Sequence, residues 1–187
     1  MAGTRRVAND PRRKERILAA ALEVIAERGV HRTTHRVIAE RASVPLGSLT
    51  YHFDGLSAIL EQAFTHLAGT MSEYYAHRLT AARDRAEACE AVADLICGPE
   101  YATPHQFALL FEMYSYANHD EAVRRAARAW MDVSRASLSA HFPPEACRAL
   151  DALVEGWSLH RHFERDEGGP DRAVVLAAVT AVADRLG

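Results

Sequence analysis

Apolar residues in this chain recur at steps of three and four along most of its length, and no stretch alternates as a half-buried strand would. That regularity restricts the fold to packed helices. A period near 3.6 gathers such residues on one side of a helix but scatters them over both faces of a strand. Ile17, Leu18, Ala21, Leu22 and Ile25 make the first apolar face. Asp10-Pro11 offers an N-cap and a first-turn proline ahead of it, and Gly29 a stop behind it.

Punctuation then divides the remainder. Thr33-Thr34 supplies hydroxyl caps for a short second helix reaching about Ala42. Ser43, Val44 and Pro45 break the chain before a third short helix from about Leu46 to His52. A long fourth helix opens near Gly55, with no marked end because Thr80–Glu87 lacks glycine and proline. A fifth finishes before Gly98-Pro99, and Thr103-Pro104 caps a sixth carrying Phe107, Leu110, Phe111 and Tyr114 on one face. Asp120 starts a seventh that includes Val123, Ala127 and Trp130 and ends near Phe142. Pro143-Pro144 opens an eighth through about His162, and Gly168-Gly169-Pro170 precedes a ninth. The expected class is all-α, with about nine helices.

At 187 residues and 49% apolar, the chain can bury its own core without disulfides or metals. Cys89, Cys97 and Cys147 are odd in number and widely spaced, which fits reduced, buried thiols rather than a secreted framework. No signal-type apolar segment follows the basic N-terminus and no apolar run nears membrane-spanning length. A soluble, cytoplasmic protein with no membrane partner is expected. The net charge of −3 conceals an asymmetry: +4 over residues 1–56 and −7 over the rest. Only the head is suited to approach a polyanion. An enzyme is the first rival, through His160-Arg161-His162 with Glu164 and Asp166 nearby. No zinc-type spacing, nucleophile motif or Gly-rich phosphate loop accompanies them, so neither catalysis nor a metal or cofactor is expected.

The chemistry-bearing stretch is Thr33 to Leu60, TTHRVIAERASVPLGSLTYHFDGLSAIL. Two short helices joined by a tight turn can cross so that the second enters a DNA major groove. Ile38, Ala39, Val44 and Leu49 supply the small or apolar inner faces, leaving Ser48, Thr50, Tyr51 and His52 outside. Arg5, Arg6, Arg12, Arg13 and Lys14 add a basic arm.

TT-x3-IA-x4-V, then G-S-L-x-YHF, then a long helix from near Leu56 resembles the TetR family of transcriptional regulators over roughly Arg12 to Phe64. The resemblance implies a helix-turn-helix DNA-binding head over 1–54 and an effector-binding, dimerising body over 55–187. It implies phosphate contacts from Tyr51, His52 and Thr34, which set position without reading sequence. Base readout falls to Leu46, Gly47, Ser48 and Thr50, with Arg36 suited to a bidentate guanine contact. Ser43 stands where the family usually has glycine, which puts an L-residue at a positive-φ turn. Leu56 stands where lysine is common, so one phosphate anchor is missing.

For the body, the resemblance implies a small-molecule cavity, with Phe107, Phe111, Tyr114, Trp130 and Trp157 as candidate lining. It also implies a homodimer through the last two helices, with Leu153, Val154, Val175, Leu176, Val179 and Val182 as apolar contacts. A two-fold dimer implies a palindromic operator on double-stranded DNA. The expected function is a sequence-specific regulator, a repressor released by its effector. The rival within the same fold is a dimeric ligand-binding protein with impaired DNA binding.

Overall fold

A computed structural model describes residues 12–98, 103–164 and 169–187. Among them lie nine α-helices and no strand: α1 Arg13–Arg28, α2 His35–Arg41, α3 Leu46–His52, α4 Leu56–Thr80, α5 Arg85–Cys97, α6 Pro104–Tyr116, α7 Glu121–Leu138, α8 Pro144–Phe163 and α9 Arg172–Leu186. The all-α architecture expected from the apolar period is the one observed.

Most boundaries follow from local capping chemistry. Thr103 and Gln106 form a reciprocal capping box, with each side chain accepting from the other's backbone N–H, and Pro104 occupies the first helical position. The Asp120 carboxylate accepts from the N–H groups of Ala122 and Val123 at the start of α7. Asp171 does the same for Ala173 at the start of α9. The unmarked end of the fourth helix falls at Thr80, and Asp84 caps α5 by accepting from the Glu87 N–H.

Three details differ from the sequence reading. A 3-10 turn, Val30–Arg32, intervenes between α1 and α2. Thr33 therefore buries its hydroxyl against the Gly29 carbonyl, and Thr34 alone caps α2. The seventh helix stops at Leu138, four residues early, because Ser139 turns its own N–H and hydroxyl onto the preceding carbonyls. Asp10-Pro11 lies outside the described residues, and Arg12 occupies the N-cap of α1.

Two apolar clusters form. The smaller gathers Ile17, Leu18 and Ala21 of α1, Ile38 and Ala39 of α2, and Leu49 and Phe53 around α3. The larger fills the space among α4 to α9. α4 serves both: Ile59 and Ala63 pack with the first, and Leu60, Phe64, Leu67, Met71, Tyr75 and Leu79 with the second. Cys89 and Cys147 are buried, Cys97 is half-buried, and all three are free thiols. Among the described residues no helix is long and apolar enough to cross a membrane.

Candidate functional site

Along α3 the exposed positions are Leu46, Gly47, Thr50 and Tyr51, a set at i, i+1, i+4 and i+5 that makes one outward stripe. The positions between them, Leu49 and then Phe53, hold the helix onto α1 and α2. Ser48 falls on this inner side at 9% exposure, which corrects the expectation that it lies outside. Helical phase explains the correction, since Ser48 directly precedes the fully buried Leu49. Tyr51 is 76% exposed and Leu46 49%, both unusual for large apolar side chains in a folded head.

Gly47 has no internal reason to be glycine. A Cβ placed there would meet nothing within 4 Å. His52 is half-buried, and its ring meets Tyr51 edge-on at 4.9 Å between centroids. Its Nε2 is buried without a partner among the described residues. Thr34 is exposed, and its hydroxyl accepts a long 3.4 Å bond from the Val37 N–H. Arg36, exposed on α2, has no ion-pair partner among the described residues. Arg41 behaves differently, because its guanidinium bridges Glu23 at 3.1 Å and Glu27 at 2.5 Å, clamping α2 to α1. These pairs push the Arg41 pKa up and the Glu27 pKa down. Ser43 adopts φ 53, as its place in the turn requires.

Polar links that sequence reasoning missed tie the turn after α1 to α6, and the start of α4 to α7. The Val30 N–H donates to Glu112 of α6 at 2.7 Å, and the same carboxylate lies 3.3 Å from where a Cβ on Gly29 would stand. Gly29 has φ 75, which favours glycine for its backbone, and a Cβ there would press lightly on the Glu112 carboxylate. The Ser57 hydroxyl donates to Asp120 at 2.6 Å, and Arg125 forms a two-pronged pair with Glu61 at 2.9 and 3.2 Å. Burial works against the ionised Asp120, but its hydrogen bonds from Ser57, Val123 and Ala122 hold its pKa below the usual carboxylate value.

The five aromatic candidates in the body do not converge on one place. Phe107, Phe111 and Tyr114 share a face of α6 at i, i+4 and i+7. Phe107 and Phe111 sit with His162 and Phe163 at the end of α8, with the Phe111 and Phe163 rings 5.6 Å apart and stacked. Trp130 stands apart from them, donating its indole N–H to Glu155 at 2.9 Å. Trp157 points to the opposite side of α8, into a surface groove of about 380 Å³ shared with Leu153, Gly156, His160 and Glu164. Glu155 and Asp151, both on α8, were not singled out from sequence. Asp151, 4% exposed, accepts from the Ser134 hydroxyl at 2.6 Å and pairs with Arg135 at 3.1 Å.

The outward faces of α8 and α9 are also redistributed. Val154, Val175 and Val179 are buried within one protomer, so they are not available to a partner as expected. Leu153, Trp157, Leu176 and Val182 are half-buried against the core, and Val174, Ala177 and Ala181 are exposed apolar positions of α9. His160 and Glu164 pair across one turn at 3.0 Å. Among the described residues no three His, Cys, Asp or Glu side chains are placed to hold a metal.

Comparisons agree with this layout. Residues 17–63 match the family model for bacterial regulatory proteins of the tetR family, and residues 83–185 match the model for a tetracyclin repressor-like C-terminal domain. No curated protein matches the chain. Among solved structures, SCO7518 of Streptomyces coelicolor A3(2), assigned as a transcriptional regulator, is 43% identical with a TM-score of 0.86. The match covers 92% of this chain and 99% of that one. The multidrug binding protein EbrR, complexed with ethidium, is 26% identical with a TM-score of 0.74, covering 91% of this chain and 98% of that one. SCO1917 of Streptomyces coelicolor A3, a member of the TetR family, is 26% identical with a TM-score of 0.74, covering 92% and 99%. With both models matched in order along one helical chain, and a relative this similar over nearly its whole length, the chain belongs to the tetR family of bacterial regulatory proteins.

Proposed function

We propose that this regulator is a repressor: a homodimer that binds a palindromic operator and leaves it when a small molecule occupies the body. The observation that carries the reading is the outward stripe of α3, where Leu46, Gly47, Thr50 and Tyr51 project from a helix held rigidly behind by Leu49 and Phe53. Tyr51 and His52 with Thr34 take phosphates and set the register. Arg36 takes a guanine edge, Leu46 packs on a thymine methyl, and Gly47 lets the backbone approach the groove closely. Ser48 acts from behind the stripe, shaping the helix rather than reading bases. With one long-armed donor in the set, the remaining specificity comes from DNA shape and from the spacing of two half-sites.

The dimer forms through α8 and α9, with Leu153 and Trp157 facing Val174, Ala177 and Ala181 of the second copy. The alanines allow close helix approach and Trp157 fills the groove. Trp157 thus belongs to the dimer face. Phe107, Phe111, Tyr114 and Trp130 belong to the effector region between α6, α7 and α8. Similarity to EbrR, solved with ethidium and with proflavin, supports a small-molecule effector for this chain.

The test is recovery of genomic fragments bound by the purified protein at physiological salt. A shared palindrome, lost in the Arg36→Ala/Tyr51→Ala double variant, is the expected result. Leu56 favours a second reading, because it packs against both cores and offers no cation at the start of α4. On that reading a folded dimer enriches no sequence.

A further inference from the structure

The seam between α6 and α8 joins two features that the fold does not need to join. At its solvent end lie four rings: Phe107 and Phe111 of α6, and His162 and Phe163 of α8, with centroid separations of 5.1 to 6.4 Å. Phe163 is 72% exposed and Phe111 half-exposed, so this end is open to solvent. At the inner end stands Glu155. Asp151, Glu155, Ser158 and His162 follow one another at helical steps on the same side of α8, while Phe107, Phe111 and Tyr114 do so on α6. The two helices therefore present an aromatic stretch and an acid along one continuous line.

Glu155 has no cation beside it among the described residues. Asp151 has Arg135, but among the described residues no Lys, Arg or His lies within ion-pair distance of Glu155. It accepts one hydrogen bond, from the Trp130 indole. The buried Tyr114 hydroxyl lies beside it, short of a completed hydrogen bond. Ser158, 3% exposed and one turn further along, has a hydroxyl with no partner among the described residues. An inward carboxylate without a cation costs stability, and buried hydroxyls are ordinarily paired. Arg161 does not supply the charge. Its guanidinium lies over the Phe107 ring and donates to the carbonyls of Ile96 and Gly98 at the other end of the seam.

We infer that this seam binds an aromatic organic cation, whose rings lie along Phe107, Phe111 and Phe163 and whose positive group rests on Glu155. The Trp130 indole N–H holds the carboxylate in place, and the Tyr114 hydroxyl lies beside it. Ser158 completes a polar contact midway. Entry parts α6 from α8 at the exposed Phe163. The inference rests on the body being an effector domain, and it names the effector's charge and shape.

N-methylacridinium and acridine share a ring system and differ, at pH 7.5, in one positive charge. Titrated into the full-length dimer by fluorescence and calorimetry, the cation is expected to bind at least about tenfold more tightly than the neutral ring, a difference of about 1.4 kcal/mol. Glu155→Gln retains an acceptor for Trp130, and it should abolish the preference while leaving acridine affinity unchanged. Phe163→Ala, at an exposed position, should weaken both ligands alike. Equal binding of the two rings by the native protein overturns the inference. So does a cation affinity unaltered in a Glu155→Gln protein that melts cooperatively, or failure of the native protein to bind either. DNA is absent from this titration. A recovered palindrome without cation preference therefore sinks the ligand assignment alone, whereas cation preference without any enriched DNA sinks the operator reading alone.

Discussion

Gly47 and Glu155 are the two residues whose chemistry is hardest to explain from the folded chain alone. A Cβ at position 47 meets open space, so Gly47→Ala should leave the fold intact and even stabilise it by roughly 0.5–1 kcal/mol, the usual cost of glycine within a helix. DNA affinity should fall sharply in the same variant, as read by titrating a recovered operator fragment. Glu155 carries the opposite signature. Burial raises its pKa, with the nearby Asp151 charge adding and the Trp130 and Tyr114 hydrogen-bonding groups opposing; Tyr75 across the core is likewise pushed up by its own burial. The folded chain thus holds this proton more tightly than the unfolded chain does. Stability from this group is greatest below the unfolded pKa, falls as pH rises through the folded value, and stays reduced above it. Glu155→Gln should accordingly raise the melting midpoint at neutral pH, with the advantage shrinking as the pH is lowered into the carboxylate range. A stabilising substitution that removes ligand preference separates a binding role from a structural one.

Among elements, α6 occupies the decisive position. One face carries Phe107, Phe111 and Tyr114 toward α8, while Glu112 reaches across to the Val30 N–H at the turn after α1. Tyr116 meets His31 edge-on at 6.1 Å just beyond. Any shift of α6 on ligand entry is therefore delivered to the turn that orients α1 and α2. Glu112→Ala should cost about 1 kcal/mol in chemical denaturation. It should also weaken effector-driven release from DNA more than it weakens ligand binding, which fluorescence on a labelled operator would show.

The helices themselves were largely legible in the sequence, because caps such as Thr103, Asp120 and Gly29 sit at their ends. The face of α3 was legible except at Ser48, whose small hydroxyl gives no polarity signal strong enough to fix helical phase, and at His52, which is half-buried rather than outside. Glu112 and Glu155 were invisible for a different reason. A carboxylate within a helix reads as a solvated face, and only tertiary packing reveals that its partner is a backbone N–H 82 positions away or an indole on another helix.

For the whole molecule, charge and shape divide the labour. The positive end reaches the polyanion, and the acidic remainder keeps the α8–α9 face as its apolar exception. Ala177→Glu places a charge in the middle of that face. On the proposed α8–α9 interface, it should convert the dimer to a folded monomer in sedimentation, with helicity retained and operator binding lost, since one head spans only a half-site. The link between the two ends is broad. Ile59 and Ala63 of α4 complete the head's core, and Ile25 and Val30 of the head lie in the body's core. The Glu112 bond to the Val30 N–H adds one polar point to that apolar seam. Heads on such a joint are not interchangeable parts. A relative's head spliced onto this body keeps its own operator preference only if the facing residues of α1 and α4 travel with it.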